Sequence, residues 1–302
     1  MNPKPLPSII FVPGMKPKPA PDVHGEQVWR CLVEGVRRVD EHIADSIAAN
    51  TGCFELTGWT YLFYNETRDI ALDMPSIETA LQTEGPSEAD RIEARMWRTR
   101  LKQLSYLLGD VLPFLIPHFA DENMQITLGD VRRYRRNDDN IGRSIRRNLR
   151  APLLRAWHAD RPVLLIGHSL GSVIAWDTLW ELSRVDGVGG HVDIFMTLGS
   201  PLGQRVIQRA LKGSKEHGRR RYPDNIRHWI NLAAIGELTA IDHRMARDYA
   251  PMRAAGLVES IDDYRIYSHY RQDGELLVHS EYGYLLSETT GQLIADFWSR
   301  YY

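Results

Sequence analysis

Two cysteines, Cys31 and Cys53, are all that 302 residues carry. That excludes a disulfide framework, and no CxxC pair or Cys/His cluster has zinc spacing. Two reduced, partly buried thiols are expected. No run of 18 apolar residues occurs, so no membrane-spanning helix is expected. An excess of one charge is also missing. Lys and Arg number 37 against 39 Asp and Glu, a formal net charge of -2, which leaves no global field to draw nucleic acid or an acidic membrane. The start, MNPKPLPSIIFVPG, has no basic segment leading into a sustained apolar run, so no signal peptide and a cytoplasmic location are expected. No internal repeat, phosphate loop, dinucleotide turn or metal-ligand spacing appears, and the expectation is no cofactor and no metal.

What the chain does have is ordinary globular composition, 43% hydrophobic and 25% charged, enough for one large α/β domain over residues 1–302. Short apolar runs alternate with amphipathic stretches, the pattern of a mostly parallel sheet flanked by helices. Strands are expected at Ser8–Pro13, Phe54–Tyr64, Val163–Ile166, Val192–Leu198, Ile226–Ala233 and Tyr264–His269. Helices are expected over 24–49, over 130–158 with a break near Asn137–Asn140, and at Ser172–Leu182, Gly203–Leu211 and Tyr282–Trp298. Residues 212–225 read as a mobile polar loop. The stretch 70–125 breaks the alternation and reads as an inserted helical cap. Within it Trp97, Leu101, Leu104, Leu108, Val111 and Leu115 recur at helical spacing, and Pro113 should kink or end that helix.

The strongest chemical signal is RPVLLIGHSLGS at 161–172. Gly167, Ser169 and Gly171 form G-x-S-x-G between an apolar strand and a helix, SVIAWDTLWEL. A sharp strand-to-helix turn there lifts the serine hydroxyl above the sheet and places the Leu170 amide at a helix N-terminus, where it can meet developing negative charge. Flanking side chains would crowd such a turn, hence glycine on either side.

Serine alone is a weak nucleophile and needs a base and an orienting acid, which follow such a turn in the order acid, then histidine. His279 precedes the final expected helix and is the first choice of base. His243 is the second, and His269 reads as a satisfied sheet histidine. After the strand ending near Ala233, two carboxylates are within reach. Glu237, in a glycine-containing loop, is favoured, with Asp242, a candidate helix cap, as the alternative acid.

Together, PVLLIGHSLGSVIAWDTL, MTLGSPL, HWINLAAIGELTAID and HSEYGYL resemble α/β-hydrolase serine esterases and lipases of the bacterial PGAP1-like and lecithin:cholesterol acyltransferase-like type. The resemblance covers residues 8–14 and about 130–299. It implies the α/β-hydrolase fold, matches Tyr282 to the family's H-x-x-Y stretch, and makes the FVPGM turn after the first strand, with Gly14, the source of a second oxyanion donor. That donor is the Met15 amide, paired with Leu170. Glu237 stands where the family usually has Asp, and Pro13 where it usually has His.

Nine arginines lie between 130 and 160. Their helical spacing and the interleaved Asp138 and Asp139 point to a solvated, salt-bridged surface. The expected function is a serine carboxylic ester hydrolase acting through an acyl-enzyme on Ser169, on a small-molecule ester with an apolar acyl or alcohol group. The same residues would serve an acyltransferase, thioesterase or amidase. A non-catalytic binding protein on the same fold is the reading from another class, and the joint presence of serine, histidine and carboxylate argues against it.

Overall fold

The computed structural model describes residues 5–96, 133–134, 136–237 and 244–302. The first strand, β1 (Ser8–Val12), is followed by α1 (Pro21–Arg37) and α2 (Glu41–Ala48). The sequence predicts one helix here. The chain makes two because Asp40 leaves the helix and its carboxylate accepts the Ile43 N–H, capping α2. The second strand also differs: β2 is only Phe54–Leu56, and the rest of the aromatic run folds as α3 (Trp59–Tyr64). Trp59 and Phe63, four apart, are both 1% exposed while Tyr61 and Leu62 face out. Burial on one helical face overrides the β-preference of aromatics. Next come α4 (Met74–Gln82) and α5 (Glu88–Arg95), which opens with a Ser87–Asp90 capping box. The remainder of the expected cap, with its apolar helix, lies outside the described residues.

Three left-handed residues, Asn137, Asp139 and Asn140, mark the anticipated break before α6 (Ile141–His158). Then follow β3 (Val163–His168), α7 (Leu170–Trp180), β4 (Val192–Leu198), α8 (Arg205–Gln208) and β5 (Ile226–Ala234). α8 is shorter than expected because Pro201–Gly203 form a separate 3-10 turn. After α9 (Met245–Asp248) and α10 (Ala250–Ala254), β6 (Ser260–Ile266) begins earlier than predicted. Asp262 and Asp263 look like turn residues in sequence. In the fold Asp263 accepts the Met245 and Ala246 amides that open α9, so an acidic residue sits comfortably in an exposed edge strand. A hairpin of β7 (Arg271–Gln272) and β8 (Glu275–Leu276) leads to α11 (Glu281–Leu285) and α12 (Glu288–Tyr301). The single terminal helix expected is split where Ser287 caps α12 by accepting the Thr290 N–H.

Six strands form one parallel sheet in the order β2-β1-β3-β4-β5-β6. Helices cover both faces, which is why β1, β3 and β4 are buried along their whole length. Alternate residues serve opposite cores. Ile10, Val12, Leu165 and Phe195 pack with α6 and α7, while Ile9, Phe11, Leu164 and Met196 pack with α1, α2 and α12. Each such fully buried side chain contributes about 1.5–3 kcal/mol. The strand order reverses between β1 and β3, since the chain steps from β1 outward to β2 and then back past β1. At such a switch the loops at the carboxyl ends of the two strands diverge and leave a crevice.

Cys31 and Cys53 are buried free thiols, both pushed up to about 12 by burial. No described helix is long and apolar enough to cross a membrane.

Candidate active site

Ser169 sits at the crevice, between the end of β3 and the start of α7. Its φ of 50° and ψ of -126° are strained for a residue with a side chain. The neighbours hold it there. Its N–H donates to the Leu198 carbonyl on β4 at 2.9 Å, and its carbonyl accepts from Ser172 Oγ at 2.6 Å. A Cβ at Gly171 would strike the Val12 carbonyl, and one at Gly167 would lie 2.7 Å from Ser172 Cα. Both motif glycines therefore answer to close approach of backbone.

His279 arrives from the loop between β8 and α11. Its Nε2 is 2.9 Å from Ser169 Oγ, and its Nδ1 pairs closely with Glu237 Oε1. The carboxylate can only accept, so Nδ1 carries the proton and Nε2 is left to accept from the serine hydroxyl. Glu237 lies just past β5 and is 1% exposed. Besides His279, its carboxylate accepts from the Tyr284 hydroxyl and, at 3.3 Å, from the Ala234 N–H. Three donors offset much of the desolvation that an isolated buried carboxylate would suffer.

Gly199, after β4, has a φ of 57° and lies directly beneath this arrangement. A Cβ there would stand 3.0 Å from the His279 ring and collide with Glu237 Oε1. The Gly199–Ser200–Pro201 turn thus leaves room for the acid and base to meet. Ser200 Oγ bonds Ser172 Oγ at 2.7 Å, tying that turn to the serine's helix.

The Pro13–Lys16 loop runs against the nucleophile turn. A Cβ on Gly14 would come within 3.1 Å of Ser169 Cβ. α3 holds this loop from outside, with Trp59 Nε1 donating to the Pro13 carbonyl at 2.8 Å and Tyr64 accepting the Lys16 N–H at 2.9 Å. Met15 lies between these anchors, and Leu170 is the first residue of α7, whose leading amides have no partner within the helix. The two amides anticipated as oxyanion donors thus belong to the loop after β1 and to the start of α7, beside the serine.

The fold gathers Ser169, His279, Glu237, Gly14, Met15, Gly167, Leu170 and Gly171 in one place, although they come from four separate stretches of chain. Asp242 and His243 lie outside the described residues. His269 follows β6 rather than lying in it, and its Nε2 is 3.2 Å from the Ala80 carbonyl, away from the serine. Tyr282 packs on His24 and Tyr270. It is Tyr284, two residues on, that reaches the acid. No local signal marks it, since its partners Glu237 and Ala234 lie 47 and 50 residues away in the chain. Three arginines of α6 pair with carboxylates of other elements, Arg146 with Glu181, Arg150 with Asp186 and Arg155 with Glu55, but Arg146 is buried and not part of a solvated surface.

Two grooves of about 420 Å³ each lie along α6, one lined by Tyr134, Asp177 and Lys212 and the other by Arg147 and Arg150. Neither is lined by Ser169, His279 or Glu237. No group of three or more metal-ligating side chains occurs among the described residues. Comparison with family models, curated proteins and solved structures gives no match to this chain.

Proposed function

We propose that the protein is a serine carboxylic ester hydrolase on an α/β-hydrolase fold, working through an acyl-enzyme on Ser169. The observation that carries this reading is the unbroken chain from Ser169 Oγ through His279 to buried Glu237. His279 takes the hydroxyl proton as Ser169 attacks an ester carbonyl, and Glu237 stabilises the imidazolium that forms. The alkoxide of the tetrahedral intermediate is received by the Met15 and Leu170 amides. His279 then hands its proton to the departing alcohol. Water, activated by the same imidazole, releases the acid and restores the serine. Loss of one oxyanion donor from such a site costs about a hundredfold or more in rate.

The substrate class is a small ester with an apolar acyl or alcohol group, and the setting proposed is the cytoplasm. Purified protein should hydrolyse short p-nitrophenyl esters and take up a fluorophosphonate at one residue. Ser169→Ala should abolish both. Undiminished labelling of that variant would move the nucleophile elsewhere and end the proposal.

A further inference from the structure

His168 precedes the nucleophile and has no part in the proton path above. Its ring is nevertheless 4% exposed, buried against the base loop. His168 Nε2 lies 2.9 Å from the backbone carbonyl oxygen of His279. A carbonyl only accepts, so this nitrogen carries the proton and donates. On the other side of the ring, Nδ1 stands 3.2 Å from Glu281 Oε2, within ion-pair reach but out of line for a hydrogen bond.

Glu281 anchors a small cluster in which it and His24 are buried and Lys18 is half-buried. Its Oε1 accepts from Lys18 Nζ at 2.7 Å and faces His24 Nε2 at 2.7 Å. Burial works against this carboxylate. Lys18, His24 and His168 outweigh it and hold the carboxyl well below its ordinary range. Burial lowers the His168 imidazole below its usual value, with Glu281 opposing, and the rings of His168 and His279 are 4.8 Å apart.

We infer that His168 is a positioning residue: its ring is seated against Glu281 of the Lys18–Glu281–His24 cluster, and its Nε2–H pins the His279 carbonyl and so keeps that imidazole in line between Ser169 and Glu237. The rate consequence rests on the hydrolase reading, whereas the positional claim can be tested without turnover. Three segments meet at Glu281 of α11, namely the loop after β1 through Lys18, α1 through His24 and the end of β3 through His168, and His168 links that cluster to the His279 carbonyl.

Two substitutions separate the donor from the bulk of the ring. His168→Phe keeps a buried ring of similar size and removes the donor. His168→Gln gives up the ring and returns an amide N–H near the place of Nε2. Thermal melts and near-ultraviolet circular dichroism identify preparations that fold. In those, the rate of fluorophosphonate labelling should fall on the order of tenfold to a hundredfold in the Phe variant, as for a displaced catalytic group, with much of the loss recovered in Gln. In parallel, proton NMR should show a downfield His279 Nδ1–H signal from the bond to Glu237 in wild type. That signal should persist in the Gln variant and broaden or vanish in Phe. Equal labelling and an unchanged signal in the Phe variant overturn the inference, as does equal loss in both variants. If wild type takes no label at all, the hydrolase reading fails, and the NMR signal still decides whether His168 holds the His279 ring.

Discussion

Glu237 reaches further than an aspartate could. Its carboxylate spans from the His279 ring to the Tyr284 hydroxyl and the Ala234 N–H. Tyr284 is 0% exposed and also accepts the Ala234 N–H at 2.7 Å, so it braces the strand end and the acid together. Removing its hydroxyl takes from Glu237 Oε2 a close donor. A hydrogen bond to a charged group contributes about 1.5–3 kcal/mol. Tyr284→Phe should therefore slow ester turnover about tenfold or more through kcat, with KM little changed, because the hydroxyl acts on the acid and not on substrate. A loss confined to KM would contradict that account. That Ser169, its flanking glycines, His279 and Glu237 come together was legible in the sequence from a local motif and chain order, with Asp242 open as the alternative to Glu237. Tyr284, His168 and Glu281 were not. Their partners lie far off in the chain, and nothing in their own neighbourhoods distinguishes a bracing tyrosine from a core one.

At the scale of elements, the central strands were legible because a strand buried on both faces is a plain apolar run. Val192–Leu198 has the predicted bounds. Errors fell where a local choice competed with periodicity. Val36, Val39 and Ile43 keep helical spacing across Asp40, and spacing alone cannot reveal that the carboxylate turns back to cap α2. The aromatic run after Leu56 reads as a strand until Trp59 and Phe63 are seen to share one buried helical face. The cap at Asp40 yields a direct test. Asp40→Ala should cost about 1 kcal/mol in urea unfolding and speed hydrogen exchange at the first amides of α2. Unchanged exchange there would mean that α1 and α2 are held apart by packing instead.

For the molecule as a whole, stability should carry the mark of a buried acid far from the proposed chemistry. Asp177 on α7 is 4% exposed and accepts from the Lys212 N–H at 2.8 Å and the Tyr134 hydroxyl at 3.1 Å. Burial raises its carboxyl to about 6, opposed by the Lys212 amide and Arg146. An unfolded aspartate titrates near about 4. Between these values the folded chain keeps a proton that the unfolded chain has lost. The contribution of Asp177 is thus present below about pH 4 and fades as pH rises through 6, amounting to about 2–3 kcal/mol. Asp177→Asn should gain on wild type by that order between pH 4 and 7 in urea unfolding. A difference between the two that stays flat across the range would show the carboxyl to be ionised throughout.

Glu237, His279 and Tyr284 all follow β4, the strand whose Leu198 carbonyl completes the serine turn. A chain still being synthesised at that stage would hold a serine hydroxyl with nothing to draw its proton away. Reactivity would then switch on late, when His279 and Tyr284 close over the finished sheet. The growing polypeptide beside it would be spared a nucleophile ripening ahead of its own shelter.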